Sequence, residues 1–131
     1  MAAADLRLAE LPPEFLRLNG ADPDWLDGLP GLVADLAARW SLTVERHFPA
    51  IRFNYVAPAT RADGTPCVLK VSRHLADARN EIAALQLWGE AAVARLLAAD
   101  PARGALLLER LQPGTMLTAV AEEDDDAATA I

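Results

Sequence analysis

Two residues in this 131-residue sequence, Lys70 and Glu81, carry the chemistry that stands out first. Lys70 lies in Val68-Leu69-Lys70-Val71, where strand alternation turns it away from Leu69 and Val71 and onto the face of Val68 and Ser72. Taken alone, it reads as a solvated strand lysine. Glu81 falls inside an apolar stripe of helical spacing formed by Ala78, Ile82, Leu85 and Trp88. Taken alone, it reads as the edge of that stripe. Together they read differently, because a carboxylate on an apolar face needs a cation and the strand just upstream supplies one. An ammonium held in that way is a positioned charge for phosphate oxygens.

Other reactive side chains form no comparable group. Cys67 is the single cysteine, which excludes an internal disulfide and a structural zinc site, and its strand setting predicts a small buried residue. His47 and His74 are isolated, and Ser41 and Ser72 lie in no Gly-x-Ser-x-Gly setting, so hydrolase chemistry is unsupported. Asp77 and Asn80 follow His74 at spacings that do not match a kinase catalytic loop, and Asp77 fits the first turn of a helix. The acidic run 122–126 reads as a charged helix start rather than a site for a polycation.

The elements that position Lys70 and Glu81 follow from periodicity. Residues 1–28, punctuated by Pro12, Pro13, Gly20, Pro23 and Gly28, read as an arm with at most one short helix. Leu29, Leu32, Val33, Leu36 and Trp40 then form a helical stripe that Pro30 helps to start. Leu42 and Val44, then Phe53, Tyr55 and Ala57, then Cys67, Leu69 and Val71 mark one face of three strands. Asp63-Gly64 supplies the positive φ of a tight antiparallel hairpin between the second and third. Residues 75–88 contain no Gly or Pro and predict a helix that Gly89 stops. Residues 93–98 and 105–109 predict a second hairpin around the turn 100–104.

Composition narrows the partners. A net charge of −7 argues against nucleic acid and against an anionic membrane surface, since both need a Lys/Arg surplus. No apolar run approaches the roughly 20 residues of a membrane span. The amino terminus lacks the basic flank and apolar stretch of a secretory signal, which points to a cytoplasmic location. With 53% hydrophobic residues the chain can bury a core.

The ordered series Val68-Leu69-Lys70-Val71, Arg79-Asn80-Glu81-Ile82-Ala83-Ala84-Leu85, residues 87–97 and residues 104–114 resembles the amino-terminal lobe of the aminoglycoside/hydroxyurea resistance kinases, of the streptomycin 6-phosphotransferase type. The similarity runs from about residue 40 to the carboxyl end, and the helix before it also fits. The implied fold is α+β: a protein-kinase-like lobe with a five-stranded antiparallel sheet, one packed helix and an additional amino-terminal helix. Residues 1–28 would be the arm, 29–108 the lobe, 109–116 a hinge and 117–131 the start of a helix in a carboxyl-terminal lobe.

The resemblance implies that Lys70 contacts the α- and β-phosphates of ATP and that Glu81 orients Lys70. The Glu109 carbonyl and the Leu111 amide would read adenine, with Leu108 lining the pocket just before them. Main-chain recognition of that kind leaves the side chains of Glu109 and Arg110 secondary. Residues 47–54 hold no glycine, so a glycine-rich phosphate cradle is absent and Arg52 or Asn54 becomes a candidate for phosphate contact. The catalytic aspartate and the Mg2+ ligands belong to the carboxyl-terminal lobe, so this chain alone is expected to be inactive. The implied reaction moves the γ-phosphate of ATP onto a hydroxyl of an aminoglycoside-like antibiotic. Two alternatives are a non-catalytic nucleotide- or protein-binding module and a kinase of another small alcohol or sugar.

Overall fold

The computed structural model describes residues 6–88 and 94–110. The arm is more ordered than its punctuation suggests: a 3-10 turn (Leu8–Glu10) is followed by α1 (Pro13–Leu18). The long helix α2 (Pro23–Arg39) starts earlier than residue 29, because Asp22 accepts from the Trp25 amide at 3.1 Å and Pro23 occupies the first turn. Pro30 therefore lies inside the helix rather than at its start. Its missing N–H is tolerated because Leu29, Val33, Leu36 and Ala37 are buried; of the predicted stripe, Leu32 is half-buried and Trp40 stands at the C-cap.

The sheet has the order β1-β2-β3-β5-β4, with every neighbouring pair antiparallel: β1 (Leu42–Val44), β2 (Tyr55–Arg61), β3 (Pro66–Val71), β4 (Leu96–Asp100) and β5 (Ala105–Glu109). The Asp63-Gly64 turn joins β2 to β3 as expected, with Gly64 at φ 92° and Asp63 Oδ1 accepting from the Thr65 amide at 2.9 Å. Hydrogen bonding from the Thr65 side chain, and then from its amide, holds the exposed Asp63 carboxyl below its ordinary value. The fourth strand ends at Asp100, beyond the predicted residue 98, and a register shift between Leu96 and Ala98 breaks its regularity. Phe53 lies outside β2 and is half exposed, contrary to its place in the predicted strand face.

Pro58 lies within β2, where a missing N–H would normally break a ladder. Its carbonyl accepts from Glu45 N at 2.8 Å, so the side of Pro58 without a donor faces the chain just past the end of three-residue β1. The short first strand removes the conflict.

The two faces of the sheet differ. Tyr55, Ala57, Ala59, Cys67, Leu69, Val71, Ala105 and Leu107 share one core with Leu11, Phe15, Leu29, Val33 and Leu36. The arm and α2 thus belong to the same core as the sheet. On the other face, α3 (Leu75–Trp88) buries Ala78 and Ile82 against Leu106, with Leu85, Leu96, Ala99 and Leu108 packed around them. Trp88 does not extend that packing and is 62% exposed. Asp100 ties the layers together through Arg39 Nη1 at 2.7 Å, and Arg103 Nε lies 3.6 Å from the same carboxylate.

Among the described residues, no helix is long and apolar enough to cross a membrane. The expected helix over 117–131, the rest of the hinge beyond Arg110 and the stop at Gly89 lie outside the described residues.

Candidate functional site

Strand alternation and α3 bring Lys70 and Glu81 together. Lys70 Nζ lies 2.9 Å from Glu81 Oε1 and 3.1 Å from Oε2, a pairing of one ammonium with both carboxylate oxygens. The side chains are 12% and 27% exposed, so the pair is sheltered yet open to a ligand. Such a charge-assisted contact is worth about 1.5–3 kcal/mol and holds both side chains in one geometry. Ser72 fixes the junction between their elements: its amide donates to the Gly104 carbonyl at 2.9 Å, and its hydroxyl accepts from His74 N at 3.0 Å at the start of α3.

The register sets the surroundings of the lysine. Val56 pairs with Lys70 and Lys70 with Leu106, so one row across β2, β3 and β5 carries the cation between two apolar side chains. Pro58 pairs with Val68 and Val68 with Leu108, which forms a second, wholly apolar row on the same face. Two residues along a strand separate the rows by about 7 Å. The face therefore offers a flat apolar strip beside a fixed positive charge, matching in chemistry a planar base joined to phosphates. Val68 and Leu108 could be placed there from alternation alone; Pro58 could not, because the residues that marked its strand in the sequence stop at Ala57.

Other expected residues fall differently. Leu108 is on the Lys70 face, whereas Glu109 pairs with Cys67, on the opposite face, and its amide donates to the Arg95 carbonyl at 2.8 Å. Leu111 lies outside the described residues. The Arg110 side chain is not a bystander: Nη2 donates to the Ala59 carbonyl at 3.1 Å, and the Arg110 amide donates to Pro66 O at 3.3 Å, tying the chain just past β5 to β2 and β3. Arg52 reaches Glu14 on α1 at 3.6 Å, with its guanidinium 5.9 Å from the Phe53 ring centroid. Its charge is thus engaged by the arm.

The residues set aside from the sequence have structural partners. Cys67 is buried in the sheet, and burial pushes its thiol up. His47 is buried edge-on to Tyr55, with its ring nitrogens 3.0 Å from Phe48 O and 3.2 Å from Glu10 O. Asp77 is exposed in the first turn of α3, as expected. Among the described residues, no group of three or more His, Cys, Asp or Glu side chains could hold a metal ion.

A strand lysine paired to a glutamate on the following helix, on a five-stranded antiparallel sheet, defines a kinase-like amino-terminal lobe. The family model described as aminoglycoside/hydroxyurea antibiotic resistance kinase matches residues 39–131, and the chain belongs to that family. It is 38% identical over 130 residues to a streptomycin 6-kinase of Streptomyces glaucescens, covering 95% of this chain and 42% of that protein. It is 38% identical over 124 residues to a hydroxyurea phosphotransferase of Kitasatospora aureofaciens, covering 94% and 36%. A streptomycin 6-kinase of Streptomyces griseus is 36% identical over 107 residues, covering 82% and 34%. The chain thus spans well under half the length of these relatives. No solved structure matches it with significance.

Proposed function

We propose that this segment is the ATP-binding wall of a small-molecule kinase that transfers the γ-phosphate of ATP to a hydroxyl of an aminoglycoside-like antibiotic. The observation that carries the reading is the Lys70–Glu81 pair beside the apolar row Pro58, Val68 and Leu108. In this reading the row packs against adenine, and the Glu109 carbonyl and Leu111 amide bond its edge. Lys70 holds the α- and β-phosphate oxygens, and Glu81 keeps the ammonium in place. Mg2+, held by residues beyond those described, neutralises phosphate charge when bound. The proton of the acceptor hydroxyl goes to an aspartate that belongs to the rest of the protein.

The names of the relatives favour streptomycin as acceptor and supply hydroxyurea as the second reading. The test is ADP formation by the full-length protein with Mg2+ and ATP, offering streptomycin, hydroxyurea and a panel of simple sugars in parallel. Streptomycin-dependent turnover that falls about 100-fold or more in Lys70→Ala is the expected result. ATP binding without transfer to any acceptor would favour a non-catalytic nucleotide module, and no ATP binding at all would overturn the reading.

A further inference from the structure

Asn19 is a fully buried polar residue to which the nucleotide reading gives no role. It stands just past the end of α1, and its Nδ2 lies 3.0 Å from the Phe15 carbonyl, 3.3 Å from Phe53 O and 3.4 Å from Arg52 O. Its Oδ1 accepts from Arg73 Nε at 2.8 Å, and Arg73 Nη2 donates to Leu18 O at 3.4 Å. The amide orientation follows from these partners: only with oxygen toward the guanidinium and nitrogen toward the carbonyls does every contact join a donor to an acceptor. Two N–H groups serve three carbonyls, so the donors of the side chain have no capacity to spare.

The bonds go further than capping a helix requires. Capping α1 needs only Phe15 and its neighbours, whereas Arg52 and Phe53 belong to the segment that joins β1 to β2. That segment enters β2 at Tyr55, which pairs with Val71, and the next pair along is Val56 with Lys70. Arg73 lies two residues past Val71 and two before Leu75, between the strand of the lysine and the helix of the glutamate. Asn19 thus joins the arm, the β1–β2 connection and the β3–α3 junction at one buried point.

We propose that Asn19 is a positioning residue of the nucleotide site, pinning the backbone at 52–53 to the β3–α3 junction and so setting the β1–β2 connection relative to the Lys70–Glu81 pair. In a chain whose connection lacks the glycines of a phosphate cradle, a buried amide from the arm takes over the task of fixing its path. The inference rests on the nucleotide reading above.

The test uses the full-length protein and two variants. Asn19→Asp keeps an oxygen for Arg73 but sets a second oxygen against the three carbonyls; Arg73→Ala keeps the donating amide and removes its anchor. ATP affinity is measured by calorimetry well below each melting temperature, KM for ATP and kcat are measured separately, and hydrogen exchange is followed over residues 45–54. Both variants are expected to weaken ATP binding and raise KM by about tenfold or more, with a smaller change in kcat and faster exchange at 45–54. A folded Asn19→Asp protein with wild-type ATP affinity would overturn the proposal. Loss of fold in both variants would also overturn it, in favour of a role confined to folding. Wild-type protein that binds no ATP would remove the nucleotide reading and this inference together, which distinguishes the two failures.

Discussion

Lys70 draws its character from two neighbours of different kinds: Glu81, which fixes its ammonium, and the half-buried apolar row two residues along the strand. If Glu81 acts through Lys70, Glu81→Ala and Lys70→Ala remove one shared interaction. Steady-state kinetics of the full-length double variant should then show a loss in kcat/KM clearly smaller than the sum of the single losses. Strict additivity would refute the pair. Tyr55 offers a second test at this scale. It is 2% exposed, and burial pushes its hydroxyl up to about 12. A raised value means that the folded state holds the proton longer than the unfolded chain, whose tyrosine ionises near about 10. The stability is fully present below that value and drains away as pH rises from about 10 toward about 12, by up to about 2–3 kcal/mol. Thermal melts across that window should fall more steeply for the wild type than for Tyr55→Phe. Equal slopes would mean that the phenol is not buried in solution.

The elements add constraints that no single side chain shows. Gly104 has φ 71°, and a Cβ there would collide with the carbonyl oxygen of Ser72, the residue that anchors the start of α3. Gly104→Ala should therefore cost about 1–2 kcal/mol from backbone strain alone, with the collision added, and it should also displace the β3–α3 junction. The check is a chemical melt combined with ATP titration of the folded fraction: loss of stability and ATP affinity together is the expected pattern. Retained stability would show that the β4–β5 turn shifts freely. At this scale α3 and β5 were legible in the sequence to the residue, because each is an uninterrupted run bounded by turn residues. The start of α2 was missed for a physical reason. Asp22 and Pro23 form a helix start, but Pro23 and Gly28 read as punctuation of the arm and Pro30 as the first turn, while the burial of Leu29 and Val33 carries the helix through both.

At the scale of the whole molecule, Lys70 and the apolar row beside it lie on one face of the sheet. Depressions of about 320 and 450 Å³ lie elsewhere, beside Leu85 and Leu96 and beside Leu11 and His47. A nucleotide held on one face needs an opposing surface, and phosphoryl transfer needs an aspartate and metal ligands from it. Residues 1–131 purified alone should therefore give no ADP with Mg2+, ATP and streptomycin, while the full-length protein turns over. Robust turnover that copurifies with the short chain would overturn that division of labour. Local pattern by itself determined α3, β5 and the placing of Lys70 on a strand and Glu81 on the helix after it, because period-2 alternation and a helical stripe depend only on neighbours along the chain, whereas the lobe as a whole came from the family resemblance. Tertiary structure alone decided that Pro58, Val68 and Leu108 form one row, that the arm shares the core, and that Asn19 meets Arg73. Those contacts depend on register and on packing between residues far apart in the chain, 54 positions for Asn19 and Arg73, which no local periodicity encodes.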